Sequence, residues 1–221
     1  EGPSPHDMAE VLNNLAVLAT MRVRLDEAWT LYEQVLALDE QAGPSPQTVL
    51  TCYNMGMLRA DQERWDEALE LYGRSLELCR TTRHLTHEPN IELNRAEALM
   101  GKGSLVEARE ACSRALRGFR RLDDALGMAD ALRLYGRLCR LERNWDDSLT
   151  YLEKSVELNR QFGESISLGE ALYELGLLNR DAGRSASALE PLREAKAIFV
   201  QAQAELDLKR VRTVIEEVES A

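Results

Sequence analysis

An all-α fold, made of five helix-turn-helix repeats and closed at its C-terminal end by one further helix, is what the sequence predicts. Three observations carry that expectation. Aromatic residues are only 5% of the 221 residues, while Ala and Leu abound. Strands recruit β-branched and aromatic side chains, so this balance favours helix over sheet. A small residue then recurs at a period of 40, at Ala16, Gly56, Ala96, Gly136 and Gly176, inside LNNLAVL, CYNMGML, LNRAEAL, LYGRLCR and YELGLLN. Twelve positions after each comes a second small residue, Ala28, Ala68, Ala108, Ser148 or Ala188. Two small residues at fixed separation, each inside a run of helical apolar spacing, are what a pair of antiparallel helices needs where its backbones approach.

The elements follow in chain order. Residues 1–8 form a leader or cloning remnant carrying GPSP at Gly2 to Pro5. The repeats occupy 9–204, divided as 9–48, 49–88, 89–128, 129–168 and 169–204. Within them the turn between helices is marked by MRVRLDEA, DQERWDEA, GKGSLVEA, LERNWDDS and DAGRSASA, and Trp65 and Trp145 share one site there as wedges between helices. AGPSP, THEPN and QFGES punctuate the joins, since Pro near a helix start and Gly past its end are where helical hydrogen bonding tolerates them. GKGS, at Gly101 to Ser104, follows an amphipathic helix rather than a strand and lacks the upstream Gly of a phosphate-binding loop, so it reads as a turn. In repeat three, Glu92 and Arg95 stand at positions that are apolar elsewhere. Residues 205–221 carry Leu208, Val211, Val214, Ile215 and Val218 at helical spacing, as a helix capping the open flank of the last repeat would.

The pattern of a small residue, a second one twelve later and an aromatic four beyond that (Tyr32, Tyr72) resembles the tetratricopeptide repeat. Its forty-residue form is similar to the subgroup found in kinesin light chains, spindle-orientation adaptors and bacterial signalling regulators. Cys112, Leu152 and Leu192 depart from the aromatic, and Ser148 from Ala. The resemblance implies a right-handed superhelical solenoid whose first helices line a concave groove that binds a partner peptide or helix. The lysine and asparagine clamp of chaperone-binding relatives is not matched: Asn13 stands where its early lysine belongs, and Asn90 and Asn94 where two cations belong.

Charge and composition exclude several classes. The formal net charge is −11, with pI near 4.9. Nucleic-acid binding needs dense local cations, so it is not expected. Residues 89–143 nonetheless hold eleven Lys+Arg against eight Asp+Glu, the one basic zone. No run of about 18 apolar residues exists to span a membrane. Cys52, Cys79, Cys112 and Cys139 form no CxxC pair, and His6, His84 and His87 no HExxH, so neither a metal nor another cofactor is expected. Cysteines at or beside apolar helical positions read as buried thiols in a reducing, cytoplasmic setting. Nucleophile and base never meet at an interpretable spacing, and an enzyme is not expected. Arg outnumbers Lys by 23 to 4, which suggests a GC-rich, bacterial genome.

Positions facing the implied groove are counted from each repeat's first small residue. Three before it stand Asn13, Tyr53, Leu93, Arg133 and Tyr173; one after, Val17, Met57, Glu97, Arg137 and Leu177; four after, Thr20, Ala60, Met100, Arg140 and Arg180. Two before it stand Asn14, Asn54 and Asn94, followed by Leu134 and Glu174. Amides of such a row can hold a peptide backbone or bond the neighbouring helix, and recurrence alone does not separate these roles. Arg133, Arg137 and Arg140 lie within about 60° on one helix and present guanidinium forks suited to carboxylates. The expected function is a non-enzymatic protein–protein interaction module. Its partner-binding residues are Asn14, Tyr53, Asn54, Met57, Asn94, Arg133, Arg137, Arg140, Tyr173 and Arg180, and its partner a protein or peptide bearing carboxylates. The alternative is a sensory or self-associating segment, a homo-oligomer, within a larger bacterial regulator.

Overall fold

The computed structural model describes residues 4–43, 45–162 and 165–220. Parts of the predicted punctuation lie outside the described residues: Pro44 of AGPSP, Gly163 and Glu164 of QFGES, and the first three residues of the leader. Among the described residues there are eleven α-helices and no strand: α1 (Pro5–Met21), α2 (Leu25–Ala42), α3 (Pro46–Asp61), α4 (Trp65–Thr82), α5 (Glu88–Lys102), α6 (Leu105–Arg121), α7 (Ala125–Leu141), α8 (Trp145–Phe162), α9 (Ser165–Asp181), α10 (Ser185–Gln201) and α11 (Glu205–Glu219). They fall into two compact units, 1–111 and 112–221, with the boundary inside α6.

The turns repeat as strictly as the helices. Left-handed backbone occurs at Val23, Gly43, Glu63, Arg83, Gly103, Asp123, Arg143, Gly183 and Gln203, spaced by twenty except across the undescribed 163–164. GKGS is such a turn: Gly103 N–H donates to the Met100 carbonyl at 3.0 Å and Ser104 N–H to that of Leu99 at 2.8 Å. Only glycine adopts this conformation without steric penalty, and Val23, a β-branched residue at φ 58°, carries the most strained of these turns. Helices α1, α3 and α7 are capped by a local side chain. Ser4 Oγ accepts from Asp7 N–H, Ser45 Oγ from Thr48 N–H, and Asp124 from Gly127 N–H at 2.9 Å.

The forty-residue register is a packing requirement. A Cβ added to Gly56 would lie 2.5 Å from Tyr72 Cε1; at Gly136 it would lie 2.4 Å from Leu152 Cγ, and at Gly176 2.4 Å from Leu192 Cγ. Leu152 and Leu192 thus fill the space that Tyr72 fills, which accounts for the missing aromatic in repeats four and five. Ala28, Ala68, Ala108, Ser148 and Ala188 are all fully buried. Ser148 is tolerated there because its hydroxyl donates to the Gly136 carbonyl at 2.8 Å. Two further serines do the same across helices, Ser75 to Val49 O at 2.8 Å and Ser155 to Ala129 O at 2.7 Å.

In the first unit, Ala16, Ala19, Ala28, Tyr32 and Met55 form one core cluster, and Val49, Ala68, Tyr72, Leu76, Cys79, Ile91 and Ala98 another. Trp65 is seated on α5, where a Cβ at Gly101 would come within 2.9 Å of its ring. Glu92 is buried, and Arg95 Nη1 lies 3.3 Å from its Oε2, so the two departures of repeat three satisfy each other. In the second unit Leu172, Leu177, Leu192 and Phe199 pack with Leu208, Val211, Val214, Ile215 and Val218 of α11, whose apolar stripe is buried along its length. All four cysteines are buried and none is in a disulfide.

Candidate partner-binding faces

Each unit presents the outward positions of its first-helix set with its own chemistry. In the first unit, α1, α3 and α5 are joined by neutral hydrogen bonds. Asn94 Nδ2 donates to the Tyr53 hydroxyl at 2.7 Å, and Thr51 Oγ1 donates to Asn13 Oδ1 at 3.3 Å. Asn94 therefore has a scaffold partner, Asn54 is half-buried, and Asn14 is exposed to solvent. Tyr53 is half-buried beside Tyr72, ring centroids 6.2 Å apart, and burial pushes its hydroxyl up to about 12. Leu93 and Met100 are buried; Met57 is exposed, as is Glu97. Partial burial and the nearby Glu97 charge hold the Asp61 carboxyl above its ordinary range. The open part of this face is thus Met57 flanked by carboxylates and amides.

In the second unit the arginines of α7 meet acids of α9. Arg133 Nη2 lies 3.0 Å from Glu170, and its Nε 3.9 Å from Asp130 one turn earlier. Arg137 Nε lies 3.8 Å from Glu174 Oε1, while Arg140 lies 3.1 Å from Glu174 Oε2 and 2.6 Å from Asp181. Arg180 continues the series, 2.8 Å from Asp181 and 2.9 Å from Glu217 of α11. Glu174, at the position the asparagines hold in earlier repeats, is buried between two guanidiniums. Burial alone would lower the Arg140 pKa; Glu174 and Asp181 outweigh it and hold the guanidinium above its ordinary value. Tyr173 is half-buried, with the Arg210 guanidinium 5.2 Å above its ring.

The arginine stripe is therefore matched by carboxylates one repeat later. Glu170, Glu174, Asp181 and Glu217 were missed, although the signal was present. Arg133–Glu170, Arg137–Glu174 and Arg180–Glu217 are all 37 residues apart, the offset at which these first helices meet. The side chains of Arg133 and Arg140 are 15% and 11% exposed, whereas those of Arg137 and Arg180 keep 29% and 32%, so the latter two offer what guanidinium surface the row has. Among the described residues no group of three His, Cys, Asp or Glu is placed to hold a metal ion, and no helix is long and apolar enough to cross a membrane.

The tetratricopeptide repeat family matches residues 7–81, 88–161 and 128–199. No curated sequence relative matches. Similar solved structures include BtubC (BKLC) from P. vanneervenii, 20% identical over 88% of this chain and 80% of that one, with a TM-score of 0.72. A putative kinesin light chain repeat protein of Podosopora anserina is 18% identical over 92% and 100%, TM-score 0.70. NprR in complex with its cognate peptide NprX is 15% identical over 97% and 62%, TM-score 0.77.

Proposed function

Since the chain belongs to the tetratricopeptide repeat family, a fold typical of protein–protein interaction, we propose that it works by holding a segment of a partner protein against the outward positions of its first helices. A partner segment bearing carboxylates fits the second unit. Arg137 and Arg180 take those carboxylates at the exposed rim of the ion-pair row, while Arg133 and Arg140 remain with Glu170, Glu174 and Asp181 and fix the spacing of α7 and α9. Tyr173, under Arg210, adds an apolar wall to this face; in the first unit Met57 and Asn14 are the exposed contacts, with Tyr53, Asn54 and Asn94 setting the surface beneath. The observation that carries this reading is the partial exposure of Arg137 on a helix whose neighbouring arginines are locked in place. That NprR binds a cognate peptide in a similar fold supports a peptide as the ligand class. The proposed role involves no bond making or breaking by the chain.

Selection of short peptides by phage display against the whole chain tests the reading. Enrichment of Asp- and Glu-rich peptides, with binding lost in Arg137→Glu at unchanged melting temperature and weakened by added salt, is the expected result. Recovery only of neutral or basic peptides, or of acidic ones indifferent to Arg137→Glu, would contradict it.

A further inference from the structure

Helix α1 distributes its side chains in the reverse of the usual amphipathic pattern. Its small residues Ala9, Ala16 and Ala19 face the core, while Met8, Val11, Leu15, Leu18 and Met21 are 43, 58, 46, 49 and 76% exposed. The helix at the other end of the chain does the opposite: α11 buries five large apolar residues and exposes charge, with Leu206 its one large apolar exception. An apolar stripe of this length on one helix marks an interaction surface rather than scattered exposure.

The order of residues within the stripe specifies the occupant. At 100° per residue, Asp7, Met8, Val11, Asn14, Leu15, Leu18, Met21 and Arg22 share the outward half of the helix. Reflected about the point between Asn14 and Leu15, the stripe maps onto itself. Asn14 falls on Leu15, Val11 on Leu18, Met8 on Met21, and Asp7 at one end on Arg22 at the other. Such a surface is self-complementary in the sense a two-fold axis requires: the same patch on both copies, apolar against apolar and, at each end, carboxylate against guanidinium. The 3-4-3 spacing of Met8, Val11, Leu15 and Leu18 is also that of a helix seam packing against another helix. Asp7 holds the Ser4 cap through Oδ2, so the capping bonds leave its Oδ1 unused.

We propose that α1 is a homodimerisation surface, pairing antiparallel with α1 of a second copy. Val11 packs on the partner's Leu18, Leu15 lies beside the axis, and Asp7 meets the partner's Arg22.

Light scattering and sedimentation velocity on the whole chain, between about 1 and about 100 µM, test it. A shift from monomer to dimer mass across that range is expected, and Leu15→Glu, at an exposed position, should abolish it while helicity is unchanged. Asp7→Arg and Arg22→Asp should each weaken dimerisation more than about tenfold, because each places like charges together at both ends. Mixed in equal amounts, those two variants should recover a heterodimer, since every end pair is again of opposite sign. That recovery distinguishes the antiparallel seam from loss of the Ser4 cap, which mixing does not repair. A monomer at the highest concentration, or a dimer indifferent to Leu15→Glu and to the charge exchange, would overturn the proposal.

Discussion

Successive first helices are joined in the first unit by amides and hydroxyls and in the second by ion pairs. At the position two before the small residue, Asn94 bonds Tyr53 of the preceding first helix, whereas Glu174 sits buried between Arg137 and Arg140. One helical register therefore accepts two chemistries, and they respond differently to damage. Losing one side of a neutral pair strands a group worth about one hydrogen bond. Losing Glu174 takes a carboxylate from two guanidiniums and leaves the mostly buried Arg140 with Asp181, and buried charge short of a partner is the costlier fault.

That contrast ranks the expected effects. Glu174→Ala should destabilise the chain by about 2–3 kcal/mol, read from urea unfolding, because Arg140 keeps its burial and retains Asp181 but loses Glu174. Tyr53→Phe, the corresponding break in the first unit, should cost only about 1 kcal/mol by the same measurement. A loss comparable to that of Glu174→Ala would erase the distinction. The turns differ as well: the first unit places Val23 in left-handed backbone where the second has Gly183. Val23→Gly should raise stability by about 0.5 kcal/mol, relief of the strained φ exceeding the entropy lost with glycine.

The smallest effect concerns Asp61. Its carboxyl is raised in the folded chain, so the fold binds that proton more tightly than the unfolded chain does, and this residue's contribution becomes more favourable as pH falls through the carboxylate range. Asp61→Asn should therefore raise the melting temperature slightly at neutral pH, with the gain fading in acid. The side chain is only partly buried, and solvent screening keeps the effect to a few tenths of a kcal/mol.

Much of this was legible in the sequence because close backbone approach leaves little choice of residue. Gly56, Gly136 and Gly176 announce the helix pairs, and the space occupied by Leu152 explains in retrospect why an aromatic was absent. The ion-pair row was legible only by half. Three arginines on one helix face are visible as a helical period, with Asp130 one turn before Arg133, but their other acids come from a different helix that no local window contains. The period that fixes the fold also holds that information, since α7 and α9 meet at an offset of 37 residues, a distance set by packing rather than by either helix alone. The left-handed turns at Val23, Glu63 and Arg143 had no residue signature either, because geometry imposed by the helix pair overrides the preference for glycine.

A double-mutant cycle between Arg140 and Glu174, built from Arg140→Met, Glu174→Gln and the combination, tests most directly whether the arginine row first joins helices. A coupling energy above about 1.5 kcal/mol is the result expected of a buried pair bridging α7 and α9. Additive effects, with coupling below about 0.5 kcal/mol, would contradict it.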